Sequence, residues 1–150
     1  YRELLELGRQ FGAKPSIEYL GFVEDFTTIE DALGIMESCG DSDATVILDP
    51  FHCFVGGGPI ESIGKLTADQ IAMSHFNDAP AEPPHQQQRD PDRVLPGDGI
   101  VDLKLYCDML RKVGYDRWLS LELFRQDLWD RDPLEVAILG LDKMRTAAEA

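Results

Sequence analysis

The stretch "TVILDPFHCF", residues 45–54, runs an apolar segment straight into an acid, a proline, an aromatic and a histidine. Val46, Ile47 and Leu48 read as a strand, and an unbroken apolar run of this kind suits a parallel sheet covered on its outer face. The strand then delivers Asp49 and, three residues later, His52, with Pro50 stiffening the turn between them. A strand that merely turns around needs neither group. A site that holds a metal ion or a sugar needs both.

Outward from this strand the pattern repeats. "YRELLELGRQFG", residues 1–12, places Leu4, Leu5, Leu7 and Phe11 along one helix face, with Gly12 as the stop. "PSIEYLGF" follows as a short strand. "TTIEDALGIMESCG" is a helix opened by Thr27 or Thr28 and closed near Gly40. On the other side, "PIESIGKL" reads as a short helix and "QIAMSHF" as a third strand. A polar, proline-rich loop covers Asp78 to Gly99. "VDLKLYCDMLRKVG" is amphipathic, with Leu103, Tyr106, Cys107, Leu110 and Val113 on one side. "RWLSLELF" is a fourth strand, and "DPLEVAILGLDKMRTAAEA" a last helix with Pro133 in its first turn. Strict alternation of helix and strand predicts parallel strands joined by right-handed crossovers. Neither GxGxxG nor GxxxxGK[ST] is present, and "GGG" at 56–58 reads as a flexible loop rather than a phosphate cradle.

Composition narrows the function. The 150 residues suit one domain, 1–150, or part of a larger one, and a 43% apolar share supplies a real core. A net charge of −14 disfavours nucleic acid, which needs a basic face. No apolar run approaches the ~18 residues of a membrane span, and there is no signal peptide. Cys39, Cys53 and Cys107 are odd in number and lack CxxC spacing, which fits a reducing cytoplasm better than a disulfide framework. The chain opens at Tyr1 inside a helical pattern, so its start is expected to be a cut.

The four strands end alike. Glu18, Asp49, His75 and Glu122 each stand at or near a C-terminal strand end. Side chains alternate along a strand. Asp49 therefore shares a face with Ile47, and Glu122 with Ser120 and Trp118, while Ile17 and Tyr19 oppose Glu18. Each strand thus points one ligand-type residue away from the helices, which in a (β/α) barrel means toward the interior at the catalytic end. Taken singly, an acid at a strand end is most often a helix cap or a surface charge. Four in consecutive strands with matching parity favour a centre for one divalent ion, Mn, Mg, Co or Zn. A second element is "DRVLPGDGIVD", residues 92–102, where Arg93 would aim its fork at substrate oxygens and Asp102 would cap the next helix. His85 is expected in solvent, and Cys53 and Cys107 in packing.

"IEYLG", "LDPFHCF", "SHFNDAP", "DRVLPGDGIVDL" and "LSLELF" together resemble the sugar phosphate isomerase/epimerase family, the xylose isomerase-like TIM barrels, and within it the inosose isomerase branch. The resemblance runs from about Ser16 to Phe124. It implies an α/β fold forming the C-terminal half, four βα units, of a (β/α)8 TIM barrel. It implies a metal held by Glu18, Asp49, His75 and Glu122, with Glu18 and Glu122 as the proton-transferring groups. Substrate contacts follow from His52 and Arg93, and from Glu24 by analogy with ketose 3-epimerases. The implied reaction is proton transfer beside the carbonyl of a sugar or cyclitol ketone through a metal-stabilised enediolate. Related outcomes are 3-epimerisation, hydroxypyruvate isomerisation and dehydration. The rival reading is a non-catalytic metal- or sugar-binding half-barrel. An endonuclease IV-like phosphodiesterase would need further ligands and a less acidic surface. The half-barrel is expected to self-associate or to need a missing N-terminal half.

Overall fold

Thr28 shows how local chemistry sets the elements. Its hydroxyl accepts from Asp31 N while the Asp31 carboxylate accepts from Thr28 N, a capping box that starts helix α2, Ile29–Cys39. Gly40, at φ 63°, ends it. The computed structural model describes residues 1–149. Before α2 come α1, Arg2–Gln10, and β1, Ile17–Glu18. After it come β2, Val46–Leu48, α3, Pro50–Gly56, β3, Ile71–His75, α4, Leu103–Lys112, β4, Leu119–Ser120, α5, Gln126–Trp129, and α6, Pro133–Glu149. The four strands form one parallel sheet in chain order. With helices packed on one side of it, the fold is half of a (β/α)8 barrel.

Register fixes the two faces. Glu18 lies opposite Ile47, Ile47 opposite Met73, and His75 opposite Ser120, so these residues share the inner face. Ile17, Val46, Leu48, Ser74 and Leu119 share the outer one. The outer face is the buried one: Val46, Leu48 and Ser74 are fully enclosed against Leu5, Ala32, Met36, Ile63, Tyr106 and Leu110. The one polar member of that set is satisfied, since Ser74 Oγ bonds the Tyr106 hydroxyl at 2.7 Å and Ser74 N donates to the Tyr115 hydroxyl at 3.1 Å.

The structure departs from the sequence pattern in four places. Val46 faces Ile71 while Ile47 faces Met73, so Ala72 is an extra residue in β3. The bulge turns Ile71 to the buried outer face while His75 stays on the inner one. "PIESIGKL" forms the short helix expected, a 3-10 helix at Ile60–Lys65, whereas α5, Gln126–Trp129, was not expected. The "DPFHCFVG" turn is itself helix α3, with Asp49 as N-cap and Pro50 in the first turn, and Gly57 at φ 72° closes it; "GGG" is a helix terminator, not a flexible loop. His85 does not stand free in solvent: it is half-buried, its ring tilted at 58° to Phe54 with centroids 5.6 Å apart and Nδ1 3.2 Å from Val55 O. Cys53 and Cys107 are buried, and all three cysteines are free thiols. Among the described residues no helix is long and apolar enough to cross a membrane.

Candidate metal centre

The inner face ends in a cluster. Glu18 closes β1, His75 closes β3, and Glu122 stands two residues beyond β4. Each offers a ligand atom within 4.8 Å of the others. His75 Nε2 is 3.5 Å from Glu18 Oε1 and 3.7 Å from Glu122 Oε1. Glu18 also belongs to a second group within the same 4.8 Å limit, with Asp49 and His52. Three of the four strand-end residues therefore meet in one trio, and the fourth, Asp49, joins Glu18 and His52 in a second rather than closing one ring of four.

Helix α3 explains the split. Asp49 Oδ1 accepts from Phe51 N at 2.7 Å and His52 N at 3.3 Å, which caps the helix. Its Oδ2 accepts from Asn77 Nδ2 at 3.2 Å and Arg93 Nη1 at 2.5 Å. Four donors occupy the roughly four lone-pair sites of a carboxylate. Arg93 also bonds His52 Nε2 at 2.9 Å, lies 3.2 Å from Glu122 Oε2, and takes Asp90 Oδ1 at 2.8 Å.

The loop that brings Arg93 in is held by Asp78. Its carboxylate accepts from Ala79 N, Gly97 N, Gly99 N and Val101 N, and its backbone pairs with Val94. Gly99 must be glycine there, because a Cβ would sit 2.3 Å from Ala79 O and 2.4 Å from Asp78 Oδ1. Asn77 ties the strand ends together, accepting from Phe51 N and donating to Asp49 and to Glu122 O. Neither Asn77 nor Asp78 was singled out from sequence, although both lie in "SHFNDAP". Glu24 is exposed in the β1–α2 loop, outside both trios.

The donors fit a cation. Glu18 Oε1 and His75 Nδ1 are buried without hydrogen-bond partners. Glu18, Asp49, Asp90 and Glu122 surround one guanidinium. Burial first, then Asp49 and Glu122, pushes Glu18 up to about 7 from 4.5. Burial of Asp49 acts to raise its carboxyl, but Arg93 and His52 hold it below the usual range. Mixed O/N donors on a desolvated, acid-rich face suit a divalent metal.

His52 shifts the other way, down to about 4 from 6.5, by burial first, with Asp49 opposing and Arg93 reinforcing. Folded Glu18 keeps a proton the unfolded chain has lost, so its contribution is present below pH 4.5 and lost as pH rises to about 7. Folded His52 refuses a proton the unfolded chain accepts, so its contribution is present above pH 6.5 and lost as pH falls to about 4. In chelator the two act in opposite directions as pH falls from 6.5 to 4.5. Glu18→Gln removes one side of the balance, so its urea midpoint should fall over that range. An unchanged midpoint in the variant would mean burial does not hold His52 neutral.

Comparison with known proteins follows the geometry. The family model described as "Xylose isomerase-like TIM barrel" matches residues 1–147. The inosose isomerase of Bacillus subtilis (strain 168) is 30% identical over 128 residues, 85% of this chain and 46% of that protein. An inosose dehydratase of Lacticaseibacillus casei is 25% identical over 114 residues, 69% of this chain and 38% of that protein. The crystal structure of the IOLI protein with a binding zinc atom superposes with a TM-score of 0.91 at 26% identity, covering 98% of this chain and 53% of that one. The chain thus spans about half the length of the relatives it matches.

Proposed function

Because the chain belongs to the xylose isomerase-like TIM barrel family, we propose that it supplies the last four βα units, and the metal centre, of an isomerase or epimerase acting on a sugar or cyclitol ketone. The observation that carries the reading is the trio Glu18, His75 and Glu122, meeting within 4.8 Å on the inner face with a buried, unpartnered Glu18 Oε1. These three would hold one divalent ion, and the zinc of the IOLI relative makes Zn²⁺ the first to try. Asp49 is the fourth ligand in this reading, and reaches the ion by giving up one of its four hydrogen bonds. A bound divalent ion supplies polarisation of the carbonyl and compensation for negative charge developing on oxygen.

The protein groups then divide the proton work. Glu122, whose Oε2 lies 3.2 Å from Arg93 Nη1, would take the carbon-bound proton. Glu18, the other carboxylate on the ion in this reading, would return the proton through its second oxygen. His52, neutral and buried, and Arg93 form the floor beneath the reacting atoms. A substrate oxygen reaches Arg93 at its longest contact, the 3.2 Å one to Glu122. Glu24 would join the substrate contacts only if the loop 21–25 folded inward. Return of the proton to the neighbouring carbon gives isomerisation, and return to the same carbon gives epimerisation. The dehydratase relative gives water loss a specific claim as the second reading. The three free cysteines fit the cytoplasm as the place of action.

The test is exchange of the substrate α-proton with D₂O, followed by NMR with 2-keto-myo-inositol and a panel of ketoses, in a barrel completed by its other four units. Exchange with isomeric product supports the reading, and exchange with loss of water transfers it to dehydration. No exchange with any ketone removes it.

A half-barrel also leaves its inner face and flanks open. Trp118 is 81% exposed, Leu134, Ile138 and Leu141 line one side of α6, and Leu4, Leu7 and Phe11 one side of α1. At roughly 25 cal/mol per Å² of apolar area, covering these is worth several kcal/mol. The 150-residue chain is therefore expected to self-associate or to bind the complementary half. Sedimentation checks this, and a monodisperse monomer with little dye binding would contradict it.

A further inference from the structure

An open cleft of about 630 Å³ lies between the loop that follows β3 and the segment that follows β4. That is within the size of small-molecule sites, about 300–1,000 Å³. Both walls belong to this chain and stand over neighbouring strands, so the cleft is not a gap that further βα units would close. It adjoins the candidate centre through Arg93. Asp90, on one wall, takes Arg93 Nε at 3.1 Å and Nη2 at 2.8 Å on its Oδ1. Phe124, on the other, follows Glu122 by two residues and holds its ring centroid 5.5 Å from Arg93 Cζ.

The lining has a definite chemistry. Trp129 and Phe124 are large apolar rings left 61% and 40% exposed. Among the described residues Asp90 Oδ2 has no donor, and neither has Gln126 Oε1, whose Nε2 bonds Asp130 at 2.8 Å. Arg125 is occupied within the protein: Nε and Nη2 bond Asp127 at 2.7 and 2.8 Å, and Nη1 approaches Arg93 O at 3.5 Å. An anionic group would therefore meet acids and no free cation. A neutral pyranose ring suits the cleft better. Its C–H groups carry partial positive charge and favour the negative face of an aromatic ring, and its hydroxyls need acceptors. We propose that this cleft is a second sugar subsite, with Trp129 as its platform and Asp90 as a hydroxyl acceptor, so that the ketone handled at the metal centre is carried by a disaccharide or another glycoside. The inference rests on the isomerase or epimerase reading above and names its substrate class.

The test uses a completed barrel with D-fructose, palatinose and maltulose, the last two being D-fructose with a glucosyl ring on O6 or O4. Exchange of the α-proton with D₂O gives kcat/KM for each. Saturation-transfer NMR shows which sugar protons touch the protein, and needs no turnover. At least one disaccharide should exceed D-fructose roughly tenfold in kcat/KM, the size of one aromatic contact of about 1.4 kcal/mol, with saturation on its glucosyl protons. Trp129→Ala should abolish both the preference and the glucosyl saturation, and Trp129→Phe should restore them. Trp129 is exposed enough that folding should survive its loss. Collapse of Trp129→Ala by circular dichroism would make it a core residue and overturn the proposal. Equal exchange on all three sugars, with no glucosyl saturation, overturns it and leaves the isomerase reading standing. A dimer that Trp129→Ala splits, with the sugar preference unmoved, gives the cleft to a second copy of the chain and also overturns it. No exchange on any ketone, with glucosyl saturation that depends on Trp129, removes the isomerase reading and keeps the sugar subsite.

Discussion

Glu18→Gln and Glu122→Gln, each in a completed barrel, are expected to slow α-proton exchange by about 10²–10⁴-fold, the usual contribution of a positioned acid or base. Glutamine keeps the shape of each side chain and can still offer an oxygen, but it neither takes nor returns a proton. The two carboxyls flank His75 Nε2 at 3.5 and 3.7 Å, so both face the same reacting atoms. Their environments differ: Glu18 is desolvated among other acids, and Glu122 leans on Arg93. Folding should survive in both, because neither side chain carries a buried ion pair on its own. Undiminished exchange in Glu122→Gln would remove it from the chemistry.

Asp49→Ala is expected to be the most damaging single change to stability. The Arg93–Asp49 pair is 1% and 0% exposed, so deleting the acid removes the nearest and most deeply buried carboxylate on a buried cation and leaves it only Asp90 and Glu122, at a cost of about 3 kcal/mol. The same carboxylate caps α3 and accepts from Asn77, and a lost cap alone costs about 1 kcal/mol. For a chain of this size the midpoint temperature should drop by roughly 10 °C or more. The control is Asp41→Ala, whose partner Arg9 is 47% exposed, and an exposed pair of that kind is worth about 1 kcal/mol or less. Thermal unfolding of the two variants side by side checks the contrast. Equal losses would mean that Asp49 is not the buried keystone its contacts indicate.

Much of this was legible in the chain. Helices α2 and α4 announce themselves by cap and glycine stop and α6 by Pro133 in its first turn, and the alternation of elements leads to the half-barrel; the face expected for α1 was wrong, since Leu5 is buried while Leu4, Leu7 and Phe11 are exposed. Strand parity placed Glu18, Ile47 and Ser120 on one face, where the register has them. Helix α3 was hidden because Pro50, Phe51, His52, Cys53 and Val55 are all buried, so no polar stripe marks a period. Its only signals were the Asp-Pro start and Gly57. Missing α3 hid the capping role of Asp49, and with it the saturation that separates the two trios. The bulge at Ala72 has no signature in "QIAMSHF". The enclosure of Arg93 depends on Asp90, Phe51, Phe124 and a loop pinned by Asp78, contacts spread over some 75 residues that no local pattern encodes.

The centre itself is open to one measurement. Crystals of the chain grown with Zn²⁺ and measured at the zinc absorption edge should show an anomalous peak at bonding distance, about 2.0–2.2 Å, from a Glu18 carboxylate oxygen, His75 Nε2 and a Glu122 carboxylate oxygen. Arg93 should still be seated on Asp49. Zinc found only on surface carboxylates or on the cysteines, with that trio unliganded, would contradict the metal centre and the isomerase reading built on it.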